Sequence, residues 1–285
     1  MRGPHDLTAR YLPLLAIVFT LLGGCSVLGP THDVKGPVPL NKAVAEVPEN
    51  QLLDVWIELF DPGELPEDED EAMGLSMDIR DAEARYLPEQ LRATMESTGH
   101  WGAVRVVPQE TTGAELLVQG SIIASDGERL ALQIKAFDAS GLEWFDRAYE
   151  QELIEGVYKA RSLIRNPPSQ DVFQSLYNTI ANDLAEFQRT LTARDIETIR
   201  QVAELRFAAD LSPEAFADDL QVDKNGRFTV VHLPAADDPM YQRVLAIRDR
   251  DFLLIDTLNG HFDNFCREMD TCLLYTSDAA DERVC

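Results

Sequence analysis

The chain has 285 residues, of which 45% are hydrophobic and 26% charged, a composition that excludes wholesale disorder and collagen-like structure. Fifty acidic against 25 basic side chains give a net charge of −25, and phosphate binding needs a basic stripe that this balance does not supply, so no nucleic-acid partner is expected. The length allows one or two domains, each with a real core.

Arg2, His5 and Arg10 precede the apolar run Tyr11–Leu22, the charged start and short apolar middle of a secretory signal. A membrane-spanning helix wants about 20 apolar residues, and Gly23-Gly24-Cys25 interrupts this run earlier. Leu22-Gly23-Gly24-Cys25 resembles the lipobox of bacterial lipoproteins, in which the cysteine is acylated and becomes the new N-terminus. That resemblance implies a signal peptide over residues 1–24 and lipidation at Cys25, with the membrane as partner through the lipid. Each buried acyl methylene contributes about 0.8 kcal/mol, so several chains anchor firmly. Ser26 follows where lipoproteins kept at the inner membrane often carry Asp, which points to a periplasm-facing outer-membrane location.

Residues 25–50 hold Gly29-Pro30, Gly36-Pro37 and Pro39 with few large apolar groups and read as a flexible tether reaching tens of ångströms. An α+β domain is expected over residues 51–150. Alternation at Leu53–Phe60 predicts its first strand, and an acidic loop follows at Glu67–Glu71. Ile79, Ala82, Tyr86, Leu87, Leu91 and Met95 then recur at helical spacing, with a kink or restart at Pro88. Four further strands are predicted at Ala103–Val107, Glu115–Ala124, Arg129–Asp138 and Leu142–Tyr149, the last three joined by Ser125-Asp126-Gly127 and Ala139-Ser140-Gly141 turns. The order β-α-β-β-β-β is a small mixed sheet with a packed helix.

Beyond Tyr149 the period changes to about 3.6, predicting a mainly helical region over residues 151–271. Phe173, Leu176, Tyr177, Ile180, Leu184 and Phe187 form one stripe, and Ile196, Ile199, Ala203 and Phe207 another. Thr192-Ala193-Arg194-Asp195 has the form of a capping box, and Ser212-Pro213 opens a further helix. Lys224-Asn225-Gly226 within Val222–Leu233 predicts one short hairpin. Met240, Val244, Ile247, Ile255, Leu258, Phe262, Phe265 and Met269 then hold a helical register, with Asn259-Gly260 the expected interruption. Neither a solenoid repeat nor a sustained heptad run is present. Residues 272–285 contain Cys272–Glu282, a stretch resembling a translated sequencing-library adapter, so the native protein is expected to continue beyond Thr271. Without Cys25, Cys272 and Cys285, only Cys266 remains, which leaves no disulfide framework.

The motifs of nucleotide, dinucleotide, serine-hydrolase and zinc-protease sites are missing, so no catalytic residue, cofactor or metal is assigned. Asp237-Asp238 and the Asp249 and Asp251 pair read as solvated carboxylates, and Glu67–Glu71 lacks the ligand alternation of a calcium loop. His261 and Cys266 lie about 140° apart on a helix and do not chelate together. Arg243, Arg248 and Arg250 are expected to pair with the aspartates around them along a solvated face. Trp56, Trp101 and Trp144 are expected mostly in the core, with an exposed binding cluster as the alternative.

The progression Leu91–Gly99, Val104–Pro108, Ala114–Ile122 and Phe137–Trp144 resembles the periplasmic α/β domain of Tol-system, curli-secretion and penicillin-binding-protein-activator proteins. It covers about residues 52–150 and carries no functional residue across. Taken together, these features point to a non-enzymatic, lipid-anchored periplasmic protein that binds an envelope partner in an export or cell-wall assembly. The alternative is a periplasmic hydrolase or ligand-binding enzyme using carboxylates near Asp237 and Arg248.

Overall fold

The computed structural model describes residues 31–65, 76–153 and 171–281, with side chains in the last helix as far as Phe265. Cys25, the acidic run Glu67–Glu71 and the side chain of Cys266 lie outside the described residues.

Alternating apolar residues build a mixed α+β fold around a six-stranded sheet. Its strands are β1 (His32–Asp33), β2 (Val55–Glu58), β3 (Val104–Val107), β4 (Leu116–Ser125), β5 (Arg129–Asp138) and β6 (Glu143–Glu152), ordered β1-β6-β5-β4-β2-β3. β2 runs parallel to both β3 and β4, β1 runs parallel to β6, and β4-β5-β6 form an antiparallel meander. The two hairpin turns form as their residues demand. Asp126 accepts the Glu128 and Arg129 amides, Asp138 accepts those of Ser140 and Leu142, and Gly127 and Gly141 take φ of +85° and +83°.

Helix α1 (Met77–Glu96) starts at Ser76, whose hydroxyl accepts the Ile79 amide, and crosses Pro88 without a break. Proline leaves the carbonyl four residues back without its helical donor. Here the Ala84 carbonyl accepts the Phe60 amide at 2.9 Å instead, so the chain leaving β2 supplies the bond that Pro88 cannot. Gly120 on β4 faces the same place: a Cβ there would lie 2.5 Å from the Phe60 ring.

Helices α2 (Gln174–Gln188) and α3 (Ala193–Leu211) continue the core begun by the sheet. Leu176, Tyr177, Ile180 and Leu184 are fully buried and join Leu132, Ile134, Leu91 and Met95 in one cluster with Ile196, Ile199 and Ala203. The change of sequence period near residue 150 therefore marks no break in packing. Thr192 and Asp195 make the reciprocal capping box at the start of α3. A short helix α4 (Pro213–Phe216) leads to the hairpin of β7 (Leu220–Val222) and β8 (Phe228–Val230), and α5 (Pro239–Asp281) follows.

Two segments depart from the sequence expectation. From residue 32 to 43 the expected tether is docked: Val34 donates to Glu150, Val38 exchanges bonds with Ser175 and Asn178, Asn41 and Pro39 bond Asn182, and Ala43 donates to Thr98. The prolines that read as linker hold an extended strand-like path whose amides and carbonyls are read by polar side chains of α2. Second, α5 passes through Asn259-Gly260 uninterrupted. β3 is an edge strand, and the Asn259 side chain pairs both outward peptide groups of Val106, accepting from its N–H at 2.8 Å and donating to its C=O at 3.0 Å. Asn259 thus acts as one residue of a missing seventh strand. Asn259→Ala should leave those groups unpaired and cost about 1–3 kcal/mol in urea unfolding, whereas Thr257→Ala, two residues away and exposed, should change stability by less than about 0.5 kcal/mol.

Candidate functional site

The sheet has a second face, formed by Asp54, Trp56, Glu58, Arg105, Val107, Leu117, Gln119, Gln133 and Lys135, and its chemistry is mixed because different elements cover different parts. α5 covers the β2–β3 end. Phe252 sits between two guanidiniums, with Arg105 Cζ 4.5 Å and Arg248 Cζ 4.9 Å from its ring centre, and meets Trp56 edge-on at 5.8 Å. Arg105 holds Asp256 through two bonds of 2.7 and 3.1 Å and reaches Asp54 at 2.8 Å. Burial works against the Arg105 charge, but the bonds to Asp256 and Asp54 outweigh it and raise its pKa above the ordinary value.

Polar contacts continue from there into the body. The Asp54 amide donates to Glu115 at 2.9 Å, Glu115 lies 3.7 Å from Arg200 and 4.0 Å from Arg248, Arg248 reaches Glu204 at 3.3 Å, and Glu204 accepts the Tyr241 hydroxyl at 2.8 Å. Arg248 was expected on a solvated face with the neighbouring aspartates. Instead it turns inward, buried among Glu115, Glu204 and Phe252. Asp238 is the first-turn cap of α5, accepting the Met240 and Tyr241 amides, while Asp249 and Asp251 are exposed. Of the carboxylates in this region, Asp238 caps α5, and Glu115 and Glu204 pair with Arg248.

The rest of the second face carries a polar cleft of about 370 Å³ lined by Glu58, Asp61, Glu110, Gln119, Ser121 and Lys135. Both oxygens of the buried Glu58 carboxylate are engaged, one by the Glu110 amide at 3.1 Å and the other by Gln119 at 2.8 Å, and Lys135 is paired with Asp146 at 2.8 Å. Register places Glu58, Gln119, Lys135 and Asp146 side by side across β2, β4, β5 and β6. This ladder engages Glu58 and Lys135 within the sheet, while the carboxylates of Asp61 and Glu110 also line the cleft.

The three tryptophans are buried, Trp101 and Trp144 near each other and Trp144 stacked on Phe187 at 4.6 Å, so the exposed binding cluster is not formed by them. His261 stands on the exposed side of α5, and His100 is pushed below its ordinary pKa by burial and by Arg189. Among the described residues no three His, Cys, Asp or Glu side chains gather as a metal site, and no helix is long and apolar enough to cross a membrane.

The outer side of α5 exposes several large apolar side chains. Leu253, Leu254, Leu258 and Phe265 are 68%, 58%, 58% and 57% exposed, although Val244, Phe252 and Ile255 on the inner side are buried or packed. Single exposed leucines are ordinary, but Leu254, Leu258 and Phe265 fall on one side of the same helix, with Leu253 further round it. Periodicity puts Met240, Leu258 and Phe265 in one helical register with Val244. A helix this long meets its body along only one narrow line, and these residues fall off that line. Burial raises the Glu115 pKa above the ordinary glutamate value of 4.5, against the Asp54 amide and the two arginines that favour its charge. The folded chain then binds this proton more tightly than the unfolded chain does, so the contribution of Glu115 to stability is largest at low pH and declines as pH rises through its raised value. In urea unfolding, the wild type should gain on Glu115→Gln between pH 7 and pH 5; parallel curves would remove Glu115 as the source.

No protein-family model and no curated protein matches this chain. Among solved structures it is similar to a PelC dodecamer from Paraburkholderia phytofirmans, with 14% identity over 52% of this chain and 94% of that chain and a TM-score of 0.29, a likeness too distant to carry a functional argument.

Proposed function

We propose that the protein is a non-enzymatic binding or accessory protein of a bacterial envelope assembly, anchored to the outer membrane by lipid on Cys25 and facing the periplasm. The observation that carries the binding part is the set of exposed apolar side chains on α5, Leu254, Leu258 and Phe265 among them. The address rests on Leu22-Gly23-Gly24-Cys25 and the short apolar run before it. Lipidation confines such a protein to two-dimensional diffusion, and its net charge of −25 repels anionic headgroups, so the body contacts a partner rather than the bilayer.

Docking of the chain from residue 32 shortens the reach that the sequence suggested. Between Cys25 and His32 only residues 26–31 are left, which span at most about 20 Å when extended. An anchored body would therefore lie close under the membrane with its α2 side near the attachment point, and its surfaces would present themselves in a restricted orientation.

Fractionation tests this directly. The full chain should partition with outer membranes and incorporate labelled palmitate, Cys25→Ala should abolish both, and Leu254→Glu should leave anchoring and folding unchanged. Anchoring that survives Cys25→Ala would overturn the lipid reading.

A further inference from the structure

On α5, Ile247, Asp251, Leu254, Leu258, His261 and Phe265 succeed one another at steps of four, three, four, three and four residues. Steps alternating in this way keep side chains on one line along a helix. At 100° per residue the line runs about 90° around the helix from the face that docks through Val244, Arg248 and Asn259. Leu254, Leu258 and Phe265 are more than half exposed, Asp251 and His261 are exposed, and Ile247 is half-buried.

The line also reads the same from either end. About its midpoint an apolar residue matches an apolar residue (Ile247 with Phe265), an acid matches a base (Asp251 with His261), and leucine matches leucine (Leu254 with Leu258). We propose that this line is a self-complementary interface through which two copies of the chain pair their α5 helices antiparallel about a two-fold axis. Each layer then occurs twice: Leu254 on the partner's Leu258, Asp251 against the partner's His261, and Ile247 on the partner's Phe265. A parallel pairing in register would instead set Asp251 on its own copy and His261 on its own copy, so charge chooses the antiparallel arrangement. Beside the line, Arg250 comes opposite Asn264 and Thr257 opposite its own copy, and no like charges meet.

The line is about 27 Å long at 1.5 Å per residue. One helix pair of this length buries less than the roughly 800 Å² per partner of a standard interface, so the association is reversible. The proposal rests on the reading of the outer side of α5 as an interaction surface and names its occupant.

Sedimentation velocity of the full chain in non-ionic detergent, up to about 0.1 mM, should show a monomer–dimer equilibrium. Leu258→Glu and, separately, His261→Asp, which sets acid against acid, should each weaken dimerisation by at least about tenfold, and the double exchange Asp251→His with His261→Asp should restore it to within about threefold. All of these positions are exposed, and unchanged circular dichroism would verify that the variants fold. A wild type that stays monomeric, or a double exchange that does not restore what His261→Asp removes, overturns the proposal. Hydroxyl-radical footprinting in cells separates the two levels. If the chain is monomeric but Leu254, Leu258 and Phe265 are protected in cells, the surface binds a different protein; if they are unprotected, the interaction-surface reading fails as well.

Discussion

Arg105 stands on the last strand of the sheet, and its guanidinium joins Asp54, just ahead of the neighbouring strand β2, to Asp256 on α5 while lying over Phe252. An edge strand cannot be left bare without inviting another chain to pair with it. The molecule meets this constraint with a helix instead of a seventh strand, and the rest of the C-terminal half follows from that. Asn259 closes the peptide groups of Val106, Phe252 covers Trp56, and the second guanidinium over Phe252, Arg248, draws Glu115, Glu204 and Tyr241 into one partly buried network. Charges buried this way must stay paired, since removing one partner leaves the other stranded in a poorly hydrated site. The same contacts fix the rotation of α5 and so determine which of its side chains face outward.

At the opposite edge the solution is lighter. The two-residue strand β1 runs along β6, and its continuation through Pro39 and Ala43 follows α2 toward the end of α1. One edge is thus covered by the segment from His32 to Ala43 and the other by the long helix α5.

Much of the sheet was legible because its signals are local. The strand at Arg129–Asp138 was read with its observed limits, and the turns at Asp126 and Asp138 work through side chains within a few residues. The capping box at Thr192 and the hairpin around Asn225-Gly226 are local in the same sense. What escaped depends on partners far away in sequence. The segment from His32 to Ala43 has linker composition, and only distant partners, Glu150, Thr98, Ser175, Asn178 and Asn182, make it part of the fold. Asn259-Gly260 resembles a helix end, but the Asn amide has found a strand edge 153 positions away. At the candidate surface, periodicity located apolar positions on α5 correctly but could not say which of them the body covers. Arg248 was misassigned for a related reason: four aspartates nearby in sequence suggested local pairing, while its acids come from Glu115 and Glu204.

The bond from Phe60 to the carbonyl of Ala84 has a consequence for how the molecule assembles. Because of Pro88, α1 cannot complete its own ladder, whatever the helix propensity of its residues. The missing donor arrives only when β2 has been laid down and the chain has turned out of it. Helix and strand therefore become complete in the same event, and the middle of α1 records a tertiary encounter within its secondary structure. Fluctuations that lift β2 from the sheet should loosen the centre of α1 before its ends, an inversion of the usual fraying of a helix from its termini.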